Sequence, residues 1–107
     1  MPSLDRTLAA LADPTRRELV ARLTRGPVRV TDLAAPFAMS LNAVSKHIKV
    51  LESAGLVRRR RVGREHRLEL DAAPLRGVAD WLASYERFWT EQLDNLDRFL
   101  RTRTKEN

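Results

Sequence analysis

Six arginines fall within one ten-residue stretch of the chain: Arg58-Arg59-Arg60-Arg61, then Arg64 and Arg67. Guanidinium is well shaped to grip phosphate, because its planar fork donates two parallel hydrogen bonds and keeps its charge at every ordinary pH. Val57 to Val62 and Glu65 to Leu70 flank Gly63-Arg64, which predicts a β-hairpin. Four consecutive arginines in a strand point to both of its faces, so they cannot all be buried or paired. Such a hairpin repels itself unless anions are near. Charge that guards an edge strand against aggregation would account for one or two of these arginines, not six. Arg64, at the tip, suits a narrow minor groove.

A second group lies just upstream. Leu41, Val44, Ile48 and Leu51 recur at spacings of three, four and three, and so share one face of a helix. Asn42, Ser45, Lys46 and Lys49 cluster opposite, with no acid before Glu52. A helix entering a major groove needs short hydrogen-bonding groups for base edges and flexible cations for phosphates. Asn42, Ser45 and Lys46 are therefore expected at or near the bases, and Lys49 on a phosphate. Ser40, as the helix cap, can offer a phosphate its hydroxyl. A solvated polar face would look the same in isolation; the basic hairpin beside it decides the reading.

These groups need a frame. Leu4, Leu8 and Leu11 predict a short first helix ending near Ala12, and Asp13-Pro14 reads as the cap and first residue of a second. That helix carries Leu19, Val20 and Leu23 and stops at Gly26-Pro27, before a short extended piece, Val28-Arg29-Val30. Thr31 is the expected cap of a third helix carrying Leu33, Ala34 and Phe37, with Pro36 limiting it to about two turns. The fourth helix runs from its Ser40 cap through Ala54, and Gly55 supplies a left-handed end. From Pro74 one long helix is expected, fraying after about Arg101. The short connection around Ala38-Met39 is what a helix-turn-helix requires, and the hairpin lies where a wing would. The expected fold is mainly α with a small β-hairpin, a winged helix-turn-helix (ααααββα). It is expected as one domain over residues 1–107, with a reading head at about 31–55, a wing at about 56–70 and a dimerisation helix at about 74–103.

Charge agrees with this layout. The net charge is +6, yet residues 40–70 alone carry eight basic groups against three acids. An excess confined to the middle third suggests a footprint on a polyanion, here double-stranded DNA. There is no cysteine, which excludes disulfides and thiolate metal sites within one chain. No apolar run approaches the ~20 residues that span a bilayer, so a cytoplasmic protein without membrane association is expected.

The last helix has a different surface. Leu75, Val78, Leu82, Tyr85, Trp89, Leu93, Leu96 and Leu100 trace an apolar stripe that Trp81, Phe88 and Phe99 widen. That is too broad for one helix lying on a small domain, and a helix with two apolar flanks usually serves a core and a partner at once. With Leu4, Leu8 and Leu11 it is expected to pack against the same elements of a second copy; a cleft for an apolar ligand is the alternative.

Specific motifs then resemble a known family. Leu11-Ala12-Asp13-Pro14-Thr15-Arg16-Arg17 followed by Leu19-Val20-Ala21-Arg22-Leu23 resembles the opening helices of the arsenic-repressor (ArsR/SmtB) family. Ser40 to Leu51 looks like that family's recognition helix, and Ala54-Gly55-Leu56-Val57 with the arginine-rich wing continues the match over residues 4–72. The resemblance implies a homodimeric winged-helix transcriptional repressor on an imperfect palindrome. Many members sense metals or arsenicals, and here the sequence departs. The third-helix site, cysteine-bearing in such members, reads Val28-Arg29-Val30-Thr31-Asp32-Leu33. If Asp80 opens the terminal-helix site, the matching positions are Leu82, Leu93 and Leu96, and three leucines cannot hold zinc. No metal and no cofactor is expected.

His47 lies nearer the apolar side of its helix and is expected to pack and hydrogen-bond behind it. His66, in the second wing strand, is expected partly exposed or beside a phosphate. Neither has the nucleophile or paired acid that catalysis needs, so an enzyme is not expected. The expected function is sequence-specific repression, regulated by an organic ligand, a protein partner or concentration alone. A protein–protein interaction module and a nonspecific architectural DNA binder are the competing readings.

Overall fold

The computed structural model describes residues 3–105. Two short helices open the chain: α1 spans Leu4–Ala10 and α2 spans Pro14–Leu23. Ser3 Oγ accepts from the Arg6 N–H to cap α1, and Asp13 Oδ1 accepts from the Arg16 N–H to cap α2, with Pro14 in its first turn. The first helix thus stops two residues before the expected end, with Leu11 as its cap.

A two-residue strand, β1 (Val28–Arg29), leads into α3 (Val30–Ala34). Here local sequence misled: Arg29, not Thr31, occupies the cap position and makes no capping bond with its side chain. Pro36 lies outside the helix, which is a little over one turn long. The fourth helix, α4 (Leu41–Ser53), begins as expected, with Ser40 Oγ accepting from the Ala43 N–H. Gly55 follows it with φ of 76°, a left-handed backbone that lets the chain turn sharply towards Leu56.

The hairpin strands β2 (Val57–Val62) and β3 (Glu65–Leu70) pair in the anticipated register, from Val57↔Leu70 to Val62↔Glu65. Gly63 has φ of 63°, while no non-glycine among the described residues has a positive φ. A glycine first in a two-residue turn matches the twist of the strands it joins. Unexpectedly, β1 adds antiparallel to the far edge of β3 (Val28↔Leu68, Arg29↔Arg67), giving a three-stranded sheet ordered β1-β3-β2. A two-residue strand shows no alternation, so only its pairing reveals it.

The core collects Leu19, Val20 and Leu23 from α2, Leu33 from α3, Val44, Ile48 and Leu51 from α4, and Leu56, Val57 and Leu68 from the wing base. Burying a side chain of this size stabilises by about 1.5–3 kcal/mol. Thr7, the buried polar side chain among the described residues, donates its hydroxyl to Ser3 O at 3.1 Å.

After the wing, α5 (Ala73–Ala83) and α6 (Glu86–Lys105) replace the single long helix that periodicity suggested. The break falls at Ser84-Tyr85, where Ser84 Oγ donates back to Trp81 O at 2.6 Å. A serine that bonds its own helix's carbonyl competes with continuation of the helix. Beyond it, α6 keeps its helix through Lys105, past the expected fraying point. It projects away from the core and gives the chain a long axis of 68 Å against a short one of 21 Å. No helix of the described residues is long and apolar enough to cross a membrane.

Candidate nucleic-acid interface

The expected reading face lies on α4, whose buried residues Val44, Ile48 and Leu51 fix its rotation about its axis. That rotation leaves Asn42, Lys46 and Lys49 exposed and Ser45 half-buried. Leu41, assigned to the apolar face, is instead 51% exposed, because the first turn of α4 extends beyond the core. Ser40 uses its oxygen as the cap acceptor while its own O–H stays available to a phosphate.

Behind this face, three residues lock α4 to α2. Arg16 donates from Nε to Ala10 O at 2.6 Å and from Nη2 to Ala9 O at 3.2 Å, tying down the end of α1. Its Nη1 lies 3.3 Å from His47 Nδ1. Arginine only donates, so in this contact Nδ1 is the acceptor. Asp13 Oδ1, at 3.9 Å from the same nitrogen, lies outside hydrogen-bond range. His47 is therefore a structural residue behind the helix, as its position suggested. The backbone N–H of Arg16, more than any other neighbour, lowers the Asp13 carboxyl below its ordinary value.

The wing places Arg59 and Arg61 on the face that carries Leu68, and Arg58 and Arg60 on the other, by strict alternation. Here the sequence reading needs correction. Edge protection was expected to account for one or two arginines, with no acid named as a partner, yet four of the six lie within ion-pair distance of a carboxylate. Glu69 meets Arg58 at 3.5 Å and Arg60 at 3.8 Å; Glu52 meets Arg59 at 2.9 Å; Glu65 meets Arg67 at 3.3 Å. The acids were visible in the sequence, but it takes the strand register to bring Glu69 to Arg58 and Arg60, and the packing of α4 on the wing to bring Glu52 to Arg59. Arg61 donates from Nε to Gly63 O at 3.1 Å, and Arg64 stands at the turn. Neither is among the carboxylate-paired arginines of the described residues.

Sequence reasoning missed Arg29. Its Nε meets Asp32 at 2.9 Å and its Nη1 meets Glu65 at 3.3 Å, so it bridges α3 to the wing. The hydrogen bond with Asp32, above all, raises its already high pKa. Arg29, Thr31, Arg59, Arg64, Glu65 and His66 line a cleft of about 390 Å³ between α3 and the wing, with His66 exposed as expected.

The terminal elements divide. Leu11 and Leu75 pack partly on the chain's own core, and Leu4, Leu8 and Val78 are half-buried. By contrast Trp81, Leu82, Tyr85, Phe88, Trp89, Leu93 and Leu96 are all exposed, from 39% at Trp81 to 63% at Phe88. Trp81 and Tyr85 make an edge-to-face pair across the helix break at 5.8 Å. Among the described residues, no group of three or more His, Asp or Glu side chains is placed to share a metal ion.

Four helices, a turn and a wing hinged on the reading helix define a winged helix-turn-helix DNA-binding regulator. Comparison with known proteins agrees. A family described as "Helix-turn-helix domain" matches residues 11–60. The HTH-type transcriptional regulator Rv2034 of Mycobacterium tuberculosis is 44% identical over 91 residues, covering 85% of this chain and 82% of that protein. A crystal structure of an ArsR family transcriptional regulator superposes with a TM-score of 0.73 at 41% identity, over 81% of this chain and 90% of that one. A solution structure of the homodimeric winged helix-turn-helix DNA-binding domain Mb0332 of Mycobacterium bovis, a possible ArsR-family regulator, matches with a TM-score of 0.61 at 28% identity, over 76% of this chain and 78% of that one. The chain belongs to the ArsR family of transcriptional regulators.

Proposed function

We propose that the protein is a cytoplasmic, sequence-specific repressor that binds a palindromic operator as a homodimer and is not released by metal. The observation that carries this is the exposed face of Asn42, Lys46 and Lys49 on α4, tied through Glu52 and Arg59 to an arginine-rich wing. Asn42, Ser45 and Lys46 read bases; Ser40, Lys49 and the wing arginines hold phosphates. Residues 1–107 act as one unit, with the terminal helices joining two copies. The exposed stripe of α6 and the half-buried leucines of α1 support that role, as does the homodimer formed by the M. bovis domain. A two-fold dimer sets its reading helices about one DNA turn, ~34 Å, apart. Repression follows from occupying promoter DNA, and no catalytic role is assigned to any residue. The absence of soft ligands at the expected metal positions supports an organic or protein effector, or control by concentration.

The test is a fluorescence anisotropy titration against DNA upstream of the protein's own gene, with a scrambled duplex as control. It is run at two salt concentrations, with zinc and with chelator. Preference for the upstream DNA, unchanged by metal, is the expected result. Equal affinity for both duplexes would replace it with an architectural role, and no binding at low salt with a protein-interaction module.

A further inference from the structure

The wing carries six arginines, but they do not stand equally free to meet DNA. Glu69 is 24% exposed and held in the sheet, while Arg58 and Arg60 are 64% and 69% exposed. Each of its carboxylate oxygens faces one guanidinium: Oε1 that of Arg58, Oε2 that of Arg60. Register explains why the acid is there. Glu69 lies directly across from Arg58, and Arg60 lies directly across from Arg67, a like-charge pair that a sheet tolerates poorly. Glu69 and Glu65 divide that excess between them on the outer face of the hairpin.

We infer that Glu69 is an affinity-limiting residue that masks Arg58 and Arg60, so that the wing presents less charge to DNA than its arginine count. The inference rests on the reading of the wing as a phosphate-binding element. An arginine already paired with a carboxylate gains little by exchanging it for a phosphate, and the displaced acid is left facing a polyanion. Arg61 and Arg64, outside this pairing, carry the wing's share of the phosphate attraction. The consequence is a weaker and less salt-sensitive hold on DNA of any sequence than six free arginines would give.

The experiment is a thermodynamic cycle on the full chain, read as binding to operator and random duplex across a salt series. Glu69→Gln is expected to tighten both duplexes by up to about 5-fold at low salt. The log–log salt slope should steepen by up to about 0.9 for each arginine released. Arg60→Ala is expected to cost less than about 2-fold in the native background and up to about 5-fold in the Glu69→Gln background. Glu69→Asp withdraws the carboxylate by one methylene at unchanged net charge and should shift the slope in the same direction. Glu18→Gln, which removes an equal charge from the Glu18–Arg22 pair on α2, should leave the slope nearly unchanged.

An additive cycle overturns the inference, as does a Glu69→Asp slope equal to that of the native protein. If the native protein binds neither duplex, the phosphate-binding reading of the wing fails first. Additivity with normal native binding sinks only the role of Glu69. Should Glu69→Gln fold poorly by circular dichroism, the Asp variant and Arg60→Ala decide the matter between them.

Discussion

Arg16 and His47 meet at 3.3 Å across the junction of α2 and α4, and the same guanidinium holds the last carbonyls of α1. One side chain thereby joins the helix that frames the reading head to the helix that reads. Arg16→Ala removes the side-chain donor of Ala10 O and of the imidazole, while Ala9 O keeps the Ala12 N–H. Hydrogen bonds from a charged group contribute about 1.5–3 kcal/mol, so the unfolding free energy should fall by that order, read as a lower urea midpoint at an unchanged m-value. A midpoint equal to that of the native protein would mean that these bonds do not hold the junction.

The Asp13 cap gives the junction a pH dependence of known sign. The Arg16 N–H, foremost, lowers its carboxyl below the ordinary 3.8, so the folded state favours the ionised form. This contribution is complete above that ordinary value and is lost as pH falls through the lower folded value. Asp13→Asn keeps an acceptor at the cap but cannot titrate. Its stability should therefore decline less steeply than that of the native protein in urea melts between about pH 6 and pH 3. Parallel pH profiles would remove Asp13 from the acid response.

Lys46 and Arg61 should fail in different ways. Lys46→Ala is expected to relax base preference at one position, at a cost of about 1–3 kcal/mol for the preferred pair. Arg61→Ala should weaken all duplexes alike and flatten the salt slope by about 0.9 per lost phosphate contact. Arg59→Ala should do less to the slope than Arg61→Ala, because Glu52 already holds Arg59 at 2.9 Å. Competition titrations over single-base operator variants distinguish the cases. Unchanged base preference in Lys46→Ala would move the reading face elsewhere on α4.

Much of this arrangement was legible in the residues themselves. Ser40, Asp13 and Gly55 announce element ends through local chemistry, and the Val57–Leu70 hairpin declares its register through its turn. What stayed hidden depends on contacts between distant segments. β1 is too short to show a period, and its partner strand lies well downstream. Periodicity carried straight through Ser84 because the apolar spacing does not lapse there; only the serine's bond to Trp81 O accompanies the break. The pairing of Arg59 with Glu52 joins a strand to a helix, which no spacing rule foresees. Leu11 and Leu75 share the spacing of the leucines expected at an interface, yet they pack partly on the chain's own core.

The exposed α6 stripe should make stability depend on protein concentration. Leu93 and Trp89, 62% and 39% exposed, lie outside this chain's core. Leu93→Asp should shift sedimentation from dimer towards monomer while leaving the helical signal of the isolated fold largely intact. A dimer that persists unchanged would place the self-association surface on another element.

At the foot of the wing, the Asp71 N–H donates to Leu56 O at 2.8 Å, so the hairpin leaves and re-enters the body of the protein through one closed gate. Beyond it β2 and β3 pair one for one out to the Gly63 turn. Length can therefore be added or removed at the tip in matched pairs, each pair of residues per strand altering the reach by about 6.6 Å and preserving which side chains face which way. The wing is an adjustable arm on a fixed shoulder, and its reach can change without disturbing the packing of α4.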